Sequence, residues 1–216
     1  MPRVIDLTLP LADGAKGISI KADKQLDTDG WNATTLCLYS HCGTHMDAPV
    51  HFGVGTESID TINVENFTGP AWVADVRPIE PCALIKPKHL GDITVNLKPG
   101  DSLLICTGWS DYYGQEIYRQ ELPRVSEELA KWCVEKKVKM LGVEPPSIAD
   151  VNNIEEVTKI HKILFKGGVI VVEGLANLTS ISKPKVTFIS LPLKIANGDG
   201  SPARAVAIEE NDQNMK

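Results

Sequence analysis

The segment His41-Cys42-Gly43-Thr44-His45-Met46-Asp47-Ala48-Pro49-Val50-His51 holds three of the chain's five histidines, with an aspartate among them. Imidazole nitrogen and carboxylate oxygen are the donor types that suit a divalent transition ion such as Zn²⁺ or Mn²⁺. His45, Asp47, Pro49 and His51 alternate, so an extended backbone points them to one side. His41 and His45 are four apart, so one helical turn also brings them together. Gly43 and Pro49 disfavour a long regular element, and a strand end running into a loop is expected. By either route His41, His45 and Asp47 converge on one point. A single histidine is usually a surface or hydrogen-bonding residue, but this many donors at this spacing read as a metal site.

Two distant residues extend the set. Glu173 sits in the apolar run Val169-Ile170-Val171-Val172-Glu173-Gly174-Leu175, where an unpaired carboxylate costs on the order of several kcal/mol of desolvation. His161 lies within the apolar stripe of a predicted helix that leads through Gly167-Gly168 into that run. Either alone is more often a satisfied core residue. Together, in a chain already rich in ligands, they read as completing the site. Five donors exceed the needs of one tetrahedral ion, so a two-ion centre is expected, with Asp47 and Glu173 as candidate bridges. His51, set apart by Pro49, suits proton transfer better than ligation. His89, in Pro87-Lys88-His89-Leu90-Gly91, reads as simply exposed.

The elements that must position these groups are partly legible. Val4–Leu9, Asn32–Ser40, Ala71–Val76 and Ser102–Cys106 read as strands, the last following the turn signal Pro99-Gly100-Asp101. A helix is predicted over Ser126–Lys136, with Val125, Leu129, Trp132 and Cys133 on one face and Glu127 and Glu128 in its first turn. Val138–Val143 follows as a buried strand. Asn153-Ile154-Glu155-Glu156 resembles a capping box. It opens a second helix on which Ile154, Val157, His161 and Leu164 share a face. Strand, helix and strand from Val138 to Leu175 imply a parallel pair with a crossover helix, hence an α/β class with a mixed sheet.

Composition removes several classes of function. At 216 residues, with 43% hydrophobic and 23% charged residues, the chain is expected to form a single globular domain over 1–216. A net charge of −6 without a Lys/Arg stripe argues against nucleic acid. Met1–Asp6 opens no apolar signal stretch and no run approaches membrane-spanning length, so no membrane partner and a cytoplasmic location are expected. The cysteines (37, 42, 82, 106 and 133) are odd in number and lack C-x-x-C spacing. They read as reduced thiols, mostly core filler.

His41–His51 spells H-x-G-T-H-x-D-x-P-x-H, and in this the chain resembles the cyclase family of metal-dependent hydrolases, which includes bacterial kynurenine formamidases and isatin hydrolases. The resemblance continues through Thr107-Gly108-Trp109, Gly142–Ser147, His161 with Val172–Leu175, and Leu191–Ile195. It implies a swivelling β/β/α fold, homo-oligomers (dimers or tetramers) and zinc or manganese as the metal. It further implies that His41, His45 and Asp47 bind a first ion, that Asp47, His161 and Glu173 serve a second, with Glu173 also reaching the first, and that His51 is the proton donor or acceptor. Formamidases of the family usually carry a Trp-Pro-Gly-Asp-like stretch near the N-terminus. Here Leu11-Ala12-Asp13-Gly14-Ala15-Lys16-Gly17 stands in its place, and Glu144 replaces a common Asp.

The expected chemistry is metal-dependent hydrolysis of a non-peptide C–N bond in a small amide, as in an arylformamidase or an isatin hydrolase. Trp31, Trp109 and Tyr112 or Tyr113 could line a substrate pocket or pack in the core. Alternatives are a cyclase or dehydratase acting at the same site, a purely structural metal, and a hydrolase built on Cys42.

Overall fold

The computed structural model describes residues 1–210. Its strands are β1 (Arg3–Asp6), β2 (Ile18–Lys24), β3 (Ala33–Leu38), β4 (His45–Asp47), β5 (Thr68–Asp75), β6 (Leu84–Ile85), β7 (Ser102–Cys106), β8 (Arg124–Val125), β9 (Met140–Val143), β10 (Ile170–Glu173), β11 (Lys185–Pro192) and β12 (Gly200–Glu209). The α-helices are α1 (Leu26–Asp29), α2 (Ile93–Asn96), α3 (Glu116–Gln120), α4 (Glu127–Glu135) and α5 (Ile154–Lys166).

The main sheet runs β1-β12-β11-β5-β7-β9-β10-β4, and β4 pairs with β12 as well, closing the sheet into a barrel-like wall. β5, β7, β9 and β10 are successive parallel neighbours, while β10–β4, β4–β12, β12–β11 and β11–β5 are antiparallel. The class is therefore α/β with a mixed sheet, as expected, and β9–α5–β10 is the expected parallel crossover. Closure itself depends on β4, only three residues long and bonded on both edges. The hairpin β2–β3 and the two-residue pair β6–β8 lie outside the main sheet. No helix among the described residues is long and apolar enough to cross a membrane.

Alternation along the strands sorts the side chains into two cores. Leu104, Cys106, Met140, Val172, Met46 and Phe188 fill the barrel interior. Leu103, Ile105, Leu141, Val143 and Val171 face outward against Leu129 and Cys133 of α4 and Ile160 and Leu164 of α5. In register, Val171 lies opposite Asp47, Val172 opposite Met46 and Glu173 opposite His45. The same period that sends Met46 and Val172 inward therefore turns His45, Asp47 and Glu173 towards α5.

Both long helices start where their caps predict. Ser126 accepts from the Leu129 N–H at 3.1 Å and Asn153 from the Glu156 N–H at 3.1 Å. Two details depart from expectation. The return bond of the capping box is not made: the Asn153 N–H donates to the Asp150 carbonyl, and the Glu156 carboxylate instead pairs with Arg124 at 2.8 Å. Ile154 also points into solvent, and the buried face of α5 is Ile160, His161, Leu164 and Phe165. Ile154 occupies the first turn, before the helix reaches the sheet.

Cys42, Cys106 and Cys133 are buried, whereas Cys37 and Cys82 are exposed. Glu144, fully buried, organises the turn after β7. Its carboxylate accepts from the Thr107 and Gly108 N–H groups, both at 2.6 Å, and from the hydroxyls of Thr107 and Ser110 at 2.9 and 3.2 Å. Phe188 is completely buried in the barrel. Its replacement by Ala should cost about 3–5 kcal/mol, read as a lower urea midpoint at unchanged slope.

Candidate metal centre

Asp47, the last residue of β4, is the hub. Its Oδ1 lies 2.7 Å from His41 Nδ1 and 3.6 Å from His45 Nε2, and its Oδ2 lies 3.4 Å from His161 Nε2. Glu173, the last residue of β10, places Oε2 3.1 Å from His45 Nε2 and Oε1 3.3 Å from His161 Nε2. The Ile148 N–H holds Oε1 from behind at 2.8 Å. His45, Asp47, His161 and Glu173 are all buried, and His41 is half-buried. All five predicted ligands thus meet, although they come from a loop, two strands and a helix.

The ring nitrogens are committed in a telling way. His45 Nδ1–H donates to the Gly43 carbonyl at 2.9 Å, and His161 Nδ1–H to the Val157 carbonyl at 2.8 Å, one turn back in its own helix. In the neutral rings, each Nε2 would then aim a lone pair at carboxylate oxygens. Acceptors facing acceptors in a buried space require a proton or a cation between them. The donor set of imidazole nitrogens and carboxylate oxygens fits zinc or manganese. Among the described residues three groupings have ligand atoms within 4.8 Å of one another; two of them, His41–His45–Asp47 and Asp47–His161–Glu173, share Asp47, and the third is His41–His51–Asp199.

Without an ion, protons take that place. Burial pulls the His161 ring towards neutrality, but its bonds to Asp47 and Glu173 outweigh burial and raise it to about 10. His41 is raised against burial in the same manner by Asp47 and Asp199, to about 9. His45 is also raised, by Glu173 and Asp47. Burial pushes Asp47 up, yet His161, His41 and His45 hold it well below the usual carboxylate range. Burial and the Asp47 charge push Glu173 up, and His161 and His45 bring it lower.

His51 lies outside this knot. Its backbone belongs to the short 3₁₀ turn Pro49–Phe52, which ends the alternation that β4 began. The ring stacks on His41 with centroids 3.9 Å apart. Phe52 stacks on His161 at 4.4 Å and meets His51 edge-on at 4.4 Å. His89 is exposed, as expected. Trp109 is buried, its indole N–H donating to the Tyr118 carbonyl, while Trp31 is exposed. The Cys42 thiol is pushed up by burial, the opposite of what a thiolate nucleophile needs.

Sequence reasoning passed over two neighbours. Asp199 Oδ2 lies 3.1 Å from His41 Nε2 and 3.5 Å from His51 Nδ1. The sequence Asn197-Gly198-Asp199-Gly200 reads as an ordinary polar turn, so nothing marked it. Gly200 pairs with Asp47 in the sheet, and a Cβ there would lie 2.6 Å from His41 Cε1 and 2.7 Å from the Met46 carbonyl oxygen. Only glycine lets the His41 ring lie against that strand.

Comparison with known proteins places these observations. The Cyclase family model matches residues 5–150, a span that contains the His41–His51 segment but not His161 or Glu173. The kynurenine formamidase of Bacillus cereus is 31% identical over 175 residues, covering 81% of this chain and 79% of that protein. The kynurenine formamidase of Salinibacter ruber is 28% identical over 191 residues, covering 88% and 86%. Among solved structures, isatin hydrolase A from Ralstonia solanacearum superposes with a TM-score of 0.83 at 25% identity, covering 97% of this chain and 92% of that one.

The charge arrangement fixes a sign. Histidines with raised values stabilise the ion-free protein fully below about pH 6.5, and that contribution disappears as pH climbs through 9 for His41 and 10 for His161. The melting temperature of chelated protein should therefore fall between pH 6.5 and 10. Adding zinc at neutral pH should raise it and release protons, measurable by calorimetry in buffers of different ionisation enthalpy. A flat profile without proton release would mean the rings are already neutral.

Proposed function

The chain belongs to the cyclase family, and from that premise we propose that it is a metal-dependent amidohydrolase that cleaves a non-peptide C–N bond in a small molecule. The substrate class is an aryl formamide or a small cyclic amide, by analogy with the kynurenine formamidases and the isatin hydrolase it resembles. One observation carries the reading. Five donors, four of them buried and His41 half-buried, converge with their lone pairs towards one another, and a fourth imidazole, His51, stands beside them without being needed as a ligand.

In this reading His41, His45 and Asp47 hold one ion, while Asp47, His161 and Glu173 hold a second, with zinc or manganese as the metal. A divalent ion held there supplies hydroxide at neutral pH and polarises a carbonyl. The chain's own residues do the rest. Asp47 and Glu173 fix the spacing of the donors, and the Gly43 and Val157 carbonyls fix the rotation of the His45 and His161 rings. Burial of all four side chains keeps water from screening them. His51, a quarter exposed beside the knot, takes up a proton on attack and delivers it to the departing nitrogen.

The substrate follows less closely from the resemblance than the chemistry does. Where formamidases of the family carry a Trp-Pro-Gly-Asp-like stretch near the N-terminus, this chain has Leu11–Gly17, and the Leu11 side chain lies against Gly43 in the His41 loop. The rim of the site is therefore aliphatic at that position. N-Formylkynurenine, and with it a role in tryptophan catabolism, is one candidate within the class. We assign the protein to the cytoplasm and expect a homo-oligomer, a dimer or tetramer.

Purified protein should hydrolyse members of a panel of formanilides, isatin and simple lactams, releasing formate or an opened ring, and should lose that activity on chelation. Release of water instead would indicate a lyase. His51→Ala should keep its metal while kcat falls by about two to four orders of magnitude. Loss of metal in that variant would make His51 a ligand.

A further inference from the structure

Asp199 has no part in the ligand set, yet its carboxylate touches two of the three clustered imidazoles. Building on the hydrolytic reading, we propose that Asp199 is a positioning residue that orients His51 for proton transfer and steadies His41 through the same oxygen.

The loop that carries Asp199 is tied down on every side. Its carbonyl accepts from the Ala48 N–H at 2.9 Å, the Gly198 carbonyl accepts from the Ile59 N–H at 2.9 Å, and the Asn197 N–H donates to Asp60 at 3.0 Å. Gly200, next along, is already in register with Asp47. The backbone on either side of Asp199 is therefore fixed to the strand that bears the ligands, while its half-exposed side chain leans over the stacked rings.

Counting lone pairs assigns the roles. His41 Nδ1 faces Asp47 at 2.7 Å and is the nitrogen that can ligate, so Nε2 carries the proton and donates to Asp199. His41, His51 and Asp199 also form a grouping of possible metal donors. A neutral imidazole has one lone pair, however, and His41 cannot offer it at once to an ion in that grouping and to an ion shared with His45 and Asp47. Asp199 therefore acts as a hydrogen-bond acceptor. At 3.5 Å it faces His51 Nδ1 from just beyond the length of a formed hydrogen bond, and on this proposal the bond tightens in the working complex. With Nδ1–H held by Asp199, Nε2 of His51 is the nitrogen left to take up and return a proton.

The test compares wild type, Asp199→Ala, Asp199→Asn, His51→Ala and the double variant His51→Ala/Asp199→Ala. It reads kcat, KM, metal content and the ¹⁵N NMR tautomer of His51 in zinc-loaded protein. Asp199→Ala should lower kcat by about 10–100-fold. In the His51→Ala background the same change should cost less than about threefold, because both substitutions remove one function. Asp199→Asn, which keeps an acceptor oxygen, should recover part of the loss. His51 should show a single Nδ1–H tautomer in wild type and a mixture in Asp199→Ala. Equal losses in both backgrounds, an unchanged tautomer, or the loss of a whole ion per chain in Asp199→Ala would each overturn the assignment. Failure of the hydrolytic reading would show separately, as wild type inactive on every amide, while the tautomer signal would still decide the role of Asp199.

Discussion

Two buried carboxylates and three imidazoles cannot share one small space unless positive charge lies among them. Asp47 and Glu173 each approach two or more ring nitrogens within 3.6 Å. Two of the rings have already given their other N–H to backbone carbonyls. Protons can supply the charge, at the cost of holding histidines cationic far above their usual range. A divalent ion supplies it without that cost and leaves every donor matched. The rest of the architecture delivers five side chains to this point.

The delivery is a matter of strand period and closure. β10 and β4 are paired so that Glu173 lies opposite His45, and the alternation that buries Met46 and Val172 in the barrel turns their neighbours outward to α5. α5 brings His161 on the face that also carries Ile160 and Leu164. β12 then seals the other edge of β4 and sets Gly200 and Asp199 beside His41. Only Glu173 ends a parallel strand; His45 and Asp47 lie on antiparallel β4, so the site sits on the outer face of the β10–β4 pair, beneath α5. Gly174, just past β10, has a left-handed φ of +67° with the Gly43 carbonyl 2.5 Å from where a Cβ would be, so the two ligand-bearing segments meet over bare backbone.

Much of the site could be read from the chain because its signals are local or dissonant. His41, His45 and Asp47 lie within seven positions, and a turn or a strand end gathers them. His161 and Glu173 stand out as polar groups inside apolar runs, and the Asn153 cap and the Gly167-Gly168 turn fix the crossover that joins them. Asp199 offered no such contrast, since an acid within Asn197–Gly200 looks like any turn residue. Its meaning comes only from long-range pairing of β12 with β4. The same non-locality hid the barrel, which closes through a three-residue strand, and sent Glu156 to Arg124 rather than back to its own cap.

The central claim is that a cation, not a set of protons, joins Asp47 and Glu173 to the three histidines. Anomalous X-ray diffraction from crystals of zinc- or manganese-loaded protein, collected above and below the metal edge, tests it directly. The predicted result is an anomalous peak bounded by His41, His45 and Asp47, about 2.0–2.2 Å from its nitrogen and oxygen donors, with a second peak between Asp47, His161 and Glu173 at full loading. A difference map with no peak among these side chains, and with direct carboxylate–imidazole contacts retained in the presence of metal, would contradict it.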